Sequence, residues 1–154
     1  MMVPADHPAI IMPPPILWLL AVGVGALLQW LIPWRVTGIG WQGIGLVLVA
    51  VAFFLSVWAL WSLRQAKTPV DPLKTPRAIV TFGPYRYSRN PIYVALIFSL
   101  PGIGFLTGWL WIAILAVPFW AILQWGVVRP EEVFLRQKFG NEYERYCART
   151  RRWV

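Results

Sequence analysis

The chain has 154 residues, of which 58% are hydrophobic and 13% charged, and it carries 11 Trp. A soluble domain carries about a quarter charged residues, so this chain has too little polar material to coat a globule, and the bilayer is the natural solvent for its apolar excess. The length allows one domain, 1–154, and the formal net charge of +8 sits between and after apolar runs, as membrane topology requires, with no nucleic-acid-binding motif.

Residues 1–15 contain no Lys or Arg, so the charged start of a cleavable signal is missing and the first apolar run reads as a retained span. Four runs approach the roughly 20 helical residues that a ~30 Å hydrocarbon core requires. They are Ile16–Ile32 behind Pro13, Pro14 and Pro15, then Trp41–Leu63, Pro91–Thr107 and Trp109–Val128. The last two are joined near Gly108, which predicts a tight antiparallel hairpin. Trp18, Trp30, Trp34, Trp41, Trp109 and Trp125 fall near the run ends and read as interfacial belts. Gly38-Ile39-Gly40-Trp41-Gln42-Gly43 has the spacing of a dinucleotide loop, but it opens a membrane helix with no strand before it. These glycines, with Gly104 and Gly108, read instead as small residues that let helices approach.

Loop 64–90 carries six Lys or Arg and tail 129–154 carries seven, leaving only Arg35 elsewhere. Four spans put the loop, the tail and both termini on one side, which the positive-inside rule makes cytosolic, in the inner (plasma) membrane. One cysteine, Cys147, excludes an internal disulfide, and with the single His7 in the N-terminal tail no metal centre is expected.

Chemistry must lie in the two polar segments. In the first, Gly83-Pro84 marks a turn, and Asn90 before Pro91 reads as an N-cap whose helix end could hold a carboxylate. Its alternative is a juxtamembrane loop with snorkelling Arg. In the second, Pro130 reads as the start of a helix at the membrane surface, with Glu131 and Glu132 in its first turn. Gly140 would end that helix and Asn141 would start another. The alternative is an interfacial amphipathic helix, but a carboxylate as close to the bilayer as Glu131 is costly unless paired or solvated.

Ile79-Val80…Gly83-Pro84-Tyr85 and Arg89-Asn90-Pro91-Ile92-Tyr93 come first. Glu131-Glu132-Val133-Phe134-Leu135, Phe139-Gly140, Tyr143, Tyr146 and Arg152-Trp153 follow. Together these motifs resemble the isoprenylcysteine carboxyl methyltransferase family and its bacterial relatives, including phospholipid methyltransferases. The resemblance covers about residues 77–154 and takes in the helical hairpin; the first two spans, 16–63, match in hydrophobicity only. It implies an all-α polytopic membrane enzyme of about four transmembrane helices with a C-terminal interfacial helix. It also implies S-adenosylmethionine as cofactor, held by Arg77, Ala78, Ile79, Val80, Tyr85, Arg89, Asn90, Pro91, Ile92 and Tyr93 on one side and by Glu131 and Glu132 on the other. Two positions depart from the eukaryotic members: Asn90 stands where they have His, and Val127 stands where they place a substrate-binding Arg. Arg129 is the nearest basic residue and the candidate for orienting the acceptor, beside Glu131. The expected acceptor is a lipophilic small molecule or lipid, such as the carboxyl group of an isoprenylcysteine-like compound. Phospholipid N-methylation is the alternative, and a non-catalytic membrane subunit with a basic lipid-binding face is the alternative from another class.

Overall fold

The computed structural model describes residues 8–71 and 74–154; His7 lies outside them. Among the described residues the fold is all-helical: α1 (Pro14–Leu31), α2 (Ile39–Gln65), α3 (Pro91–Thr107), α4 (Leu110–Ile114), α5 (Ala116–Leu123), α6 (Arg129–Phe139) and α7 (Asn141–Arg149). A 3-10 turn at Gly83–Arg86 precedes α3, and a π-turn at Gln124–Val128 joins α5 to α6. α1, α2 and the stretch Leu110–Phe139 are long and apolar enough to cross a membrane. α3, with 17 residues, is the shortest of the four and spans about 26 Å at 1.5 Å per residue.

The first three spans lie where the apolar runs put them. The fourth differs. It was expected to end at Val128, with a new helix starting at Pro130, but the helical stretch runs from Leu110 to Phe139. Two prolines shape it. Pro118 cannot donate to the carbonyl four residues back, and the helix breaks at Leu115 between α4 and α5. Pro130 likewise has no N–H for the Gly126 carbonyl. The helix widens into the π-turn, with the Arg129 N–H bonded to the Gln124 carbonyl. The Gly126 carbonyl accepts instead from the Ile11 N–H at 3.0 Å. A missing donor in the fourth span thereby docks the segment that precedes α1.

α2 packs along α3, while α1 packs on α4 and α5. The buried core comprises Leu100, Ile112, Phe119, Leu123 and Val127. Trp18, expected in an interfacial belt, packs against this core, and its Nε1 donates to Ser99 Oγ at 2.8 Å. Gly108 ends α3 in the left-handed conformation (φ 75°) and makes the tight hairpin. Its carbonyl accepts from the Val36 N–H at 3.0 Å, tying the α1–α2 connection to that turn.

The glycine expectation holds in part. A Cβ on Gly104 would lie 2.8 Å from the Ala113 Cβ, so the two helices do meet there. Gly40 and Gly43 have nothing within 4 Å; the close approach falls to Gly45, where a Cβ would lie 2.8 Å from the Gly102 carbonyl oxygen and closer to the Leu106 amide. Backbone cannot yield as a side-chain tip can. Gly45→Val should therefore destabilise the purified protein by about 1–3 kcal/mol, read as a lower thermal midpoint in detergent. Gly43→Val should leave the midpoint unchanged; equal shifts in both would contradict the α2–α3 packing.

Candidate functional site

The two polar segments meet at one end of the bundle. The Arg89 N–H donates to the Arg151 carbonyl at 2.9 Å, and Tyr146 Oη donates to the Tyr85 carbonyl at 2.7 Å. Lys138 Nζ reaches the Pro76 carbonyl at 2.6 Å. Asn90 stands just before Pro91, as an N-cap would, but its side chain makes no cap bond. Its Nδ2 donates to the Arg152 carbonyl at 2.9 Å, so it ties the start of α3 to the C-terminal tail. Gly140 (φ 52°) ends α6 and Asn141 starts α7, both as expected, with Gly140 in the N-cap position of α7.

Adjacent helical residues point about 100° apart, and this separates the two carboxylates. Glu132 is 4% exposed and lies between two guanidiniums. Arg152 holds it in a bidentate pair, with Nε and Nη2 each 2.8 Å from an oxygen, and Arg89 Nη1 lies 3.0 Å from Oε1. The hydrogen bond to Glu132 also holds the Arg152 guanidinium above its usual pKa. Arg89 Nη1 reaches Cys147 Sγ at 2.8 Å too, and its Nε is buried with no hydrogen-bond partner among the described residues. Glu131 turns the other way and accepts a 2.7 Å hydrogen bond from Tyr93 Oη.

Glu131 and Tyr93 line a cavity of about 520 Å3. One wall is built from Thr68, the stretch Ala78-Ile79-Val80, Tyr85 and the start of α3. α6 and α7 add Phe134, Leu135, Tyr143 and Tyr146, and the segment entering α1 adds Pro8, Pro13, Pro14 and Pro15. Burial, reinforced by Tyr146 and Glu131, pushes the Tyr85 hydroxyl well above its usual pKa, and burial likewise raises Tyr146. The tyrosines are therefore neutral hydrogen-bonding groups at any physiological pH. A largely apolar cavity of this size with a few converging polar groups is the usual form of a small-molecule site.

The sequence profile of the phospholipid methyltransferase family matches residues 41–142. The chain belongs to the phospholipid methyltransferase family. The match starts in α2, so it takes in the second span, which by sequence motif had matched only in hydrophobicity; it ends before Tyr143 and the tail. The cobalt-zinc-cadmium resistance protein CzcN of Cupriavidus metallidurans is 38% identical over 73 residues, 47% of this chain and 33% of that protein. The nickel-cobalt-cadmium resistance protein NccN of Alcaligenes xylosoxydans xylosoxydans is 32% identical over 72 residues, again 47% and 33%. The matched region is thus about a third of the length of these relatives.

In this family member Ala78, Ile79, Val80, Tyr85, Arg89, Asn90, Pro91, Ile92, Tyr93, Glu131 and Glu132 all line the cavity. Arg77 and Arg129 do not. Arg77 is exposed and contributes its backbone N–H to Thr68 Oγ1. Arg129 is exposed, and its guanidinium lies over the Trp125 ring, 5.7 Å from the centroid. Thr68 and the proline segment are additions that the motifs did not indicate.

Removing Glu132 would strand Arg89 in a buried position. Glu132→Ala should cost about 3–5 kcal/mol of stability, measured as a loss of thermal midpoint in detergent. Glu144→Ala, which breaks the exposed pair with Arg136 (3.1 Å, 44% and 59% exposed side chains), should cost under about 1 kcal/mol. Comparable losses would show that Glu132 is not clamped as described.

Proposed function

We propose that this protein is an integral-membrane methyltransferase that holds S-adenosylmethionine in the cavity and acts on a lipophilic acceptor. The observation that carries the reading is Glu131, whose carboxylate accepts from Tyr93 in a largely apolar cavity while the neighbouring Glu132 is neutralised by two arginines. The donor set fits the cofactor. A half-buried carboxylate complements a ligand that carries cationic sulfonium and ammonium groups, and the 78–80 segment and neutral tyrosines supply hydrogen-bonding groups around it. When bound, S-adenosylmethionine supplies a methyl group already activated for transfer.

The residues of the chain then have positional tasks. Tyr93 orients Glu131; Arg89 and Arg152 keep Glu132 occupied. The apolar walls exclude water, which would compete for the methyl group. Positioning of two reactants is the main contribution required. An ionised carboxyl acceptor, as in an isoprenylcysteine-like compound, needs no base, which suits a motif with Asn90 in place of His. Phospholipid N-methylation is the second reading, favoured by the family match itself. The two polar segments that line the cavity carry thirteen of the fourteen Lys and Arg, so we place it on the cytosolic side.

Sealed inside-out vesicles supplied with methyl-labelled S-adenosylmethionine, which does not cross the bilayer, test substrate class and orientation together. Label should enter the organic-extractable fraction with the wild type and fall by about tenfold or more with Glu131→Ala, equal to roughly 1.4 kcal/mol. Label confined to small polar products would overturn the lipophilic acceptor, and incorporation confined to right-side-out vesicles would overturn the orientation.

A further inference from the structure

We infer that Thr68 is a positioning residue for the cofactor: its hydroxyl fastens the backbone of Arg77 and Ala78 to the capped end of α2, and so shapes the 78–80 wall of the cavity. The inference rests on the proposed binding of S-adenosylmethionine and names a residue that no motif in the resemblance contains.

The frame begins with the end of α2. Lys67 adopts the left-handed conformation (φ 52°), a rare state for a residue with a Cβ. The Thr68 N–H donates to the Leu63 carbonyl at 3.1 Å and the Lys67 N–H to the Arg64 carbonyl at 3.0 Å. These are the two bonds of a Schellman cap. Together they fix the Thr68 backbone to a membrane helix that itself packs along α3. Thr68 is 9% exposed and lines the cavity.

From that anchor the side chain reaches Arg77 and Ala78, nine and ten positions on in the sequence. Oγ1 accepts from the Arg77 N–H and the Ala78 N–H, each at 3.1 Å, and donates to the Ala78 carbonyl at 3.4 Å. A hydroxyl has one donor and two acceptor sites, and this peptide segment takes all three. Arg77 and Ala78 are themselves exposed, so side-chain burial does little to hold them. Lys138 holds the Pro76 carbonyl before these two residues and buried Val80 anchors the chain after them, so the backbone at Arg77 and Ala78 depends on the hydroxyl, while the rest of the bundle does not.

That separation makes the role testable. Thr68→Val keeps the shape of the side chain and deletes all three bonds; Thr68→Ser keeps the bonds. Titration calorimetry of the purified full-length chain with S-adenosylhomocysteine should show wild-type binding, about tenfold weaker binding by Thr68→Val, and restoration to within about twofold by Thr68→Ser. Hydrogen exchange of the ligand-free protein should accelerate in residues 77–80 of Thr68→Val and stay unchanged in α3, and Thr68→Ala should repeat both readouts if the valine variant is poorly behaved. Wild-type affinity in Thr68→Val, or slow exchange at 77–80 in every variant, would overturn the positioning role while leaving the cofactor reading standing. Absence of binding by the wild type would overturn both.

Discussion

The arrangement depends on one absent hydrogen-bond donor. In a bilayer every backbone carbonyl must find a partner inside the protein, and Pro130 offers none to Gly126. The helix responds with a π-turn rather than a break, so the fourth span continues through the polar boundary and carries Glu131 and Glu132 on the same rigid element as the core residues Leu123 and Val127. The freed carbonyl takes the Ile11 N–H, which brings the proline-rich entry to α1 against the site. The turn has a second fastening: the buried Gln124 Oε1 accepts from Trp153 Nε1 at 2.8 Å. The Ile11 and Trp153 segments thus converge on the irregular stretch that aims the carboxylates.

Those carboxylates have opposite surroundings. Glu132 is enclosed by Arg89 and Arg152 and holds the start of α3, α6 and the C-terminal tail together. A buried ion pair of this kind is weak evidence for net stability but strong evidence that removal of one partner is damaging. Glu131 instead accepts from the Tyr93 hydroxyl and lines the cavity. Glu132 serves the architecture and Glu131 the proposed chemistry, and the division follows from the turn of the helix between them.

Much of this was legible in the sequence. Long apolar runs make spans visible, Gly108 between two of them requires a hairpin, and the clustering of basic residues assigns loop and tail to one end. Glu131 stood out because a carboxylate at a membrane boundary is costly, Asn90-Pro91 because it reads as a helix start, and the rest of both motifs through the family resemblance. Other features have no such signature. A proline after an apolar run reads as a helix start, so continuation through Pro130 was invisible, and with it the π-turn. Gly43 and Gly45 sit in the same glycine-rich stretch, and only the register against α3 shows that Gly45 is the one in contact. Thr68 is an ordinary polar residue after a helix until the fold brings Arg77 and Ala78 back to it. Arg129 lay close to the Glu pair in sequence, yet the helix carries it around to Trp125.

The central proposal is that the two polar segments form a single cofactor site with Glu131 at its centre. The most direct test is an experimental structure of the purified protein saturated with S-adenosylhomocysteine. The ligand should lie in the cavity, within hydrogen-bond reach of Glu131 and the 78–80 backbone, with Glu132 still held by Arg89 and Arg152. A ligand bound elsewhere, or one that engages Glu132 in place of Glu131, would contradict the account.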